Sequence, residues 1–174
     1  FVAGAFTRDH HVLSLDQRGH GDSDWVDPPE YSYESFVADL KALAEALDLR
    51  DFVLMGHSMG GMISLVYTAR HPGRVGKLIV LDSTLRVTDR HVAAQRARRG
   101  RPGRAYATPK EFIAHYRLRP AETMATPEML RYMASHAGRR FEDGLWRHKI
   151  DRRIIGTRNP TDGVALCANV KIPF

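Results

Sequence analysis

Residues 52–70 constrain the fold of this chain more than any other stretch. Phe52-Val53-Leu54-Met55 is a short apolar run without polar alternation, as expected of a strand covered on both faces of a parallel sheet. Gly56-His57-Ser58-Met59-Gly60-Gly61 follows at once, and Met62, Leu65, Val66 and Ala69 then recur at helical spacing on one side. A strand that becomes a helix within a few residues brings two backbones close together. Glycines at 56, 60 and 61 leave the space this needs. His71-Pro72-Gly73 ends the helix, since proline cannot continue one and glycine permits the turn. Leu78-Ile79-Val80-Leu81, closed by Asp82, is the next predicted strand.

The same alternation extends upstream. His11-Val12-Leu13-Ser14-Leu15-Asp16 reads as a short buried strand ended by the turn formers Gly19 and Gly21. Ser32 is placed to cap a helix whose stripe is Phe36, Leu40, Leu43 and Leu47, with Val37 and Ala44 beside it. Strand–helix–strand–helix–strand in this order predicts an α/β fold with a parallel sheet.

The pattern changes after Ser83. Residues 84–163 lack strand-like runs and show short helical patterns, one around Phe112 and Tyr116 and another around Met129, Leu130 and Met133. Arg98–Arg104 is rich in arginine and glycine and reads as a loop. The segment is therefore expected to be a mostly helical insertion, with residues 1–83 and 164–174 forming an incomplete core and Val170 opening a fourth strand. Eighteen of the 26 lysines and arginines lie between 84 and 160, so the positive charge is concentrated there and the rest of the chain is net acidic. A solvated arginine-rich surface explains this. The alternative is a module that binds nucleic acid or another anion, against which stands the lack of interleaved aromatics in 96–104.

At 174 residues and 43% hydrophobic, the chain suits one domain, or one domain with a small insertion. No apolar run approaches the roughly 18 residues that span a bilayer, and no leader pattern is present. Cys167 has no partner for an internal disulfide. These features favour the cytoplasm and no membrane partner. The chain opens on Phe1 rather than methionine and stops within the apolar Val170–Phe174. Because termini are usually solvated, a fragment of a longer protein is expected.

The chemistry centres on Gly56-His57-Ser58-Met59-Gly60, a G-x-S-x-G pattern in the strand–turn–helix setting that gives the pattern its meaning. A serine on so sharp a turn is held in a strained backbone conformation that lifts its hydroxyl above the sheet edge. Ser58 is therefore the candidate nucleophile. The start of the following helix offers unpaired N–H groups to developing negative charge, and the Met59 N–H is the candidate oxyanion donor. His57 is adjacent to Ser58, but its side chain is expected to point away into the packing below the turn, so it is not read as the base.

These residues carry a resemblance. Asp16-Gln17-Arg18-Gly19-His20-Gly21-Asp22-Ser23, then Gly56–Gly61, then His71-Pro72 and Lys77–Asp82 resemble the α/β-hydrolase superfamily, in particular cofactor-free bacterial hydrolases with a helical cap. The resemblance covers residues 10–83 well and 141–173 loosely. It implies that Asp16, Arg18 and Ser23 shape a turn beside the active site. It implies that the insertion is a cap over the pocket, with Tyr106, Phe112, Tyr116, Met133 and Trp146 divided between cap core and pocket wall. The family's second oxyanion donor would precede Phe1, and its acid and histidine would follow Phe174. Asp82 is an alternative acid. His91, His115, His136 and His148 are expected to serve the cap's surface or packing, and His10, His11 and His20 have no place in the family's triad.

The resulting expectation is a serine hydrolase acting on a small-molecule carboxylic ester or related acyl substrate. It would need no metal and no organic cofactor, and no histidine or cysteine cluster has zinc-ligand spacing. Serine at 58 argues against the haloalkane dehalogenase and epoxide hydrolase branches, where aspartate stands at this position. Carbon–carbon bond hydrolysis, lactone opening and cofactor-free haloperoxidase activity stay open within the fold. The rival is an inactive fragment or an arginine-rich anion-binding module.

Overall fold

The computed structural model describes residues 2–118 and 122–173; Phe1 and Phe174, which mark the two ends considered above, lie outside them. In chain order the elements are α1 (Val2–Phe6), α2 (Tyr33–Ala46), β1 (Phe52–His57), α3 (Met59–Arg70), β2 (Val75–Leu81), β3 (Arg86–Val87), α4 (Asp89–Arg96), α5 (Pro109–His115), α6 (Pro127–Ala137), β4 (Gly138–Arg140), β5 (Trp146–His148), β6 (Thr161–Asp162) and α7 (Gly163–Cys167).

The strand–helix–strand unit forms as the pattern predicts. β1 and β2 pair in parallel, with Val53 opposite Lys77 and His57 opposite Leu81. α3 connects them and packs on both strands, while α2 and α7 pack on α3. That enclosure changes one expectation. Met62 and Val66 are buried, but so are Ile63, Ser64, Tyr67 and Thr68, so α3 is covered all round rather than on one side. Thr68 accordingly donates its hydroxyl to the Ser64 carbonyl at 2.8 Å, which satisfies a polar group that water cannot reach.

α2 begins where expected. The Ser32 hydroxyl accepts the Ser35 N–H at 3.1 Å, and Phe36, Val37 and Ala44 are buried. Leu47 lies just past the helix as its C-cap and is 51% exposed, so it does not extend the stripe.

Three further expectations are corrected. Val53, Met55 and Leu81 are exposed, so among the described residues the sheet is covered on the α3 face alone. Residues 11–16 form no ladder, and Leu13 and Leu15 are exposed; an apolar run becomes a strand only when another strand supplies hydrogen bonds, and no described strand does. At the other end, the Leu78 N–H donates to the Pro173 carbonyl at 3.1 Å, which lays the tail beside β2 without a ladder.

Residues 84–163 contain helices α4, α5 and α6 but are not free of strands. β3 pairs antiparallel with β6, Arg86 opposite Asp162, so the segment leaves and returns at one place. β4 and β5 form a second antiparallel pair. Strands of two or three residues have no periodicity to detect, which is why the sequence did not announce them. Phe112 is buried, its ring 4.8 Å from His148, 5.7 Å from Tyr106 and 6.4 Å from Tyr116.

A buried carboxylate ties this segment to the core. Asp151 is 2% exposed. It accepts hydrogen bonds from the Tyr31 hydroxyl and, at 2.9 Å, from Arg153 Nε. Arg153 also donates to Asp27 and to the Val26 carbonyl, both at 3.0 Å. Burial alone would raise the Asp151 pKa, but the Arg153 and Tyr31 hydrogen bonds outweigh it and hold the carboxyl below its ordinary 3.8. A depressed folded pKa makes the contribution present above about pH 4 and lost as pH falls through the folded value. Asp151→Ala leaves the Tyr31 O–H without its acceptor and Arg153 without its buried carboxylate, and should destabilise the protein by about 2 kcal/mol in urea denaturation at pH 7. The gap between the wild type and the variant should narrow below pH 4. A gap that is negligible at pH 7, or that widens in acid, would contradict this account.

Candidate active site

The site is built from the turn that joins β1 to α3. Ser58 occupies it with φ 53° and ψ −117°, a conformation that disfavours any residue with a Cβ. Local hydrogen bonds hold it there. The Ser58 N–H donates to the Leu81 carbonyl at 2.9 Å. The Ser58 carbonyl accepts from the Gly61 and Met62 N–H groups at 3.1 and 3.3 Å, and from the Ser83 hydroxyl at 2.8 Å. With both sides of its peptide unit fixed, the residue cannot relax to an ordinary helical start.

The glycines divide into two kinds. A Cβ at position 56 would stand 2.3 Å from the Gly60 carbonyl oxygen, and one at 61 would stand 2.0 Å from Ser83 Oγ. A Cβ at position 60 would meet nothing closer than Gln17 Nε2 at 3.9 Å. Close packing thus requires glycine at 56 and 61, while the second glycine of the five-residue pattern is sterically free.

Ser58 is exposed and its hydroxyl makes no capping bond to α3. The Met59 N–H, first in α3, donates to no acceptor among the described residues. His57 differs from expectation. It is exposed rather than packed below the turn, on the same open sheet face as Val53 and Met55. Strand alternation puts these three residues together, and no described element covers that face. Asp82 follows β2 at φ 42°, exposed, one strand over from the turn.

A cavity of about 270 Å³ adjoins Ser58 and Met59. Its walls include Tyr33 and Met62 from the core, with Val87, His91, Gln95 and Arg158 from the 84–163 segment. None of Tyr106, Phe112, Tyr116, Met133 and Trp146 is among its lining residues. Arg158 was not foreseen, and nothing in the sequence distinguishes it from the other arginines of this segment. His91 is expected from the sequence only on the cap's surface or in its packing. It accepts the Thr88 N–H through Nδ1 at 3.3 Å, closing a capping box at the start of α4.

Four further histidines are engaged elsewhere. His115 and His136 contact carbonyls of their own helices at 2.8 Å. His20 contacts the Arg18 carbonyl at 3.1 Å. His148 packs on Phe112, where burial and, next, the Arg152 charge lower its pKa. Among the described residues no histidine hydrogen-bonds Ser58, and no three metal-binding side chains converge. In the loop before α2 the Ser23 hydroxyl donates to the Asp16 carbonyl at 2.6 Å, Arg18 forks onto Asp39 of α2 with both contacts at 2.5 Å, and Asp22 pairs with Lys149 at 2.8 Å.

Comparison with known proteins bears on the fold. A family profile described as the α/β hydrolase fold matches residues 2–159. The chain is 43% identical over 75 residues to the non-heme chloroperoxidase of Streptomyces lividans, covering 42% of this chain and 27% of that protein. It is 38% identical over 109 residues to the AB hydrolase superfamily protein YisY of Bacillus subtilis, covering 61% of this chain and 36% of that one. An α/β hydrolase crystal structure from Novosphingobium aromaticivorans superposes with a TM-score of 0.76 at 24% identity, over 97% of this chain and 62% of that one; this is a likeness of fold. The chain thus spans only a part of each of these relatives.

The sterics predict opposite outcomes for two neighbouring glycines. Gly56→Ala should cost about 2 kcal/mol or more, because the blocking atom is backbone. Gly60→Ala should be neutral or slightly stabilising, since it replaces glycine in a helix. Chemical denaturation of the two variants checks this, and equal losses would contradict the geometry.

Proposed function

The chain belongs to the α/β-hydrolase family, and we propose that within it Ser58 is the nucleophile of a serine hydrolase acting on a small carboxylic ester or related acyl substrate. The observation that carries this reading is the strained, exposed Ser58 at the mouth of a cavity. In the proposed reaction Ser58 Oγ attacks the acyl carbonyl and a histidine takes the hydroxyl proton. The oxyanion forms opposite the free Met59 N–H. The protonated histidine gives its proton to the leaving alcohol, and water then releases the acid from the acyl-enzyme. This sequence of steps calls on no metal or organic cofactor.

We assign residues 84–163 the role of a cap. In support, Val87, His91, Gln95 and Arg158 reach the cavity from that segment, and the β3–β6 pair closes its base. The base is assigned to none of the described histidines, and Asp82 is retained as a candidate acid because it follows a strand end and comes after Ser58 in the chain.

The test uses the protein as its gene encodes it, with p-nitrophenyl butyrate as substrate. Ser58→Ala should lower kcat by about 10⁴-fold or more, the scale on which a lost nucleophile acts. Activity within tenfold of the wild type would overturn the assignment. The 174-residue chain alone should be no faster than its own Ser58→Ala variant, because no described histidine reaches the hydroxyl; rapid turnover that depends on Ser58 would show that a base lies within it.

A further inference from the structure

The cavity beside Ser58 contains a charge that its own walls do not answer. Arg158 lines it, and Arg158 Nε is buried with no hydrogen-bond partner. Other arginines partly withdrawn from solvent are engaged: Arg18, Arg153 and Arg147 pair with Asp39, Asp151 and Asp143, Arg74 donates to the Leu49 carbonyl at 3.4 Å, and Arg139 lies over the Trp25 and Phe141 rings. Among the described residues no carboxylate forms an ion pair with Arg158, and no acidic side chain lines the cavity. A partly desolvated guanidinium without an anion is unfavourable. Its planar fork of donors fits a carboxylate better than any neutral group.

The backbone beside this arginine is fixed before any ligand arrives. The Thr157 hydroxyl bridges the Tyr31 carbonyl at 2.9 Å and the Ile154 carbonyl at 2.7 Å. A few residues earlier, Asp151 is held by Tyr31 and Arg153. The same loop therefore anchors the core side of the cavity and the residue that charges it, which lowers the ordering cost of binding. The other walls mix apolar Met59, Met62, Val87 and Ala94 with polar side chains that include Thr84, His91 and Gln95, none of them anionic. The cavity, of about 270 Å³, has room for a short acyl group.

We propose that Arg158 is a specificity-determining residue that binds a carboxylate of the substrate. The preferred substrate is then a small ester carrying a free carboxylate, such as a monoester of a short dicarboxylic acid. This rests on the reading of Ser58 as the nucleophile.

The experiment compares two esters of similar length on the gene-encoded protein: p-nitrophenyl butyrate, which is neutral, and the p-nitrophenyl monoester of glutaric acid, which is anionic. A charge-assisted hydrogen bond is worth about tenfold or more, so the anionic ester should have the higher kcat/KM by at least that factor. Arg158→Gln should reduce the anionic-to-neutral ratio about tenfold or more, chiefly through KM, and Arg158→Lys should restore part of it. No preference in the wild type, or equal losses on both esters in Arg158→Gln, would overturn the proposal. Ser58→Ala separates the two readings: turnover of both esters that survives it refutes the nucleophile, whereas its loss with an unchanged ester ratio in Arg158→Gln refutes the carboxylate site alone. If neither ester is turned over, calorimetry with monomethyl glutarate decides. Binding weakened about tenfold or more by Arg158→Gln supports the site, and no binding, or equal affinity, refutes it.

Discussion

Everything at this site depends on a backbone reversal that a residue with a Cβ tolerates poorly. β1 delivers the chain to Ser58, and α3 carries it away within one residue. The positive φ of Ser58 is disfavoured by itself. It persists because the Ser58 carbonyl takes three donors and the Ser58 N–H is bound to the neighbouring strand. Glycine at 56 and 61 lets strand and helix approach closely enough for those bonds to form. Ser83, just past β2, reaches back to the turn and links it to the second strand. The same arrangement leaves the first N–H of α3 without an acceptor among the described residues. Strain and donor are thus two results of one piece of geometry.

The second constraint is the joining of two structurally different parts. The sheet and α3 supply the turn, and residues 84–163 supply most of the polar wall of the cavity. They meet through the Asp151 cluster, through the Thr157 hydroxyl, and through a backbone bond from Gly21 N–H to the Lys149 carbonyl at 2.8 Å. A buried carboxylate with two donors fixes direction as well as position. It sets where the chain runs as it approaches Arg158. The cavity is therefore a property of the junction, not of either part.

Much of this was legible in the sequence because it is written in local patterns. The G-x-S-x-G stretch, the apolar runs on either side and Ser32 as a cap all act over a few residues, and each appears where expected. What failed required knowledge of distant partners. Residues 11–16 have strand composition but no described strand to pair with. His57, Val53 and Met55 form a face whose covering cannot be read from their own identities. α3 is enclosed by elements far away in the chain, so its burial exceeds what its periodicity suggested. The aromatic residues of the insertion packed on one another around Phe112 instead of facing Ser58. Arg158 is one arginine of eighteen basic residues between 84 and 160, and only the fold separates it from the others.

The central claim is that the turn presents the Ser58 hydroxyl as a reactive group. Treating the gene-encoded protein with a fluorophosphonate and mapping the adduct by peptide mass spectrometry tests this most directly. The account predicts a single phosphonylated residue, Ser58, and no adduct after the protein is unfolded before treatment. A folded protein in which Ser58 stays unmodified, or in which another serine carries the label, would contradict it.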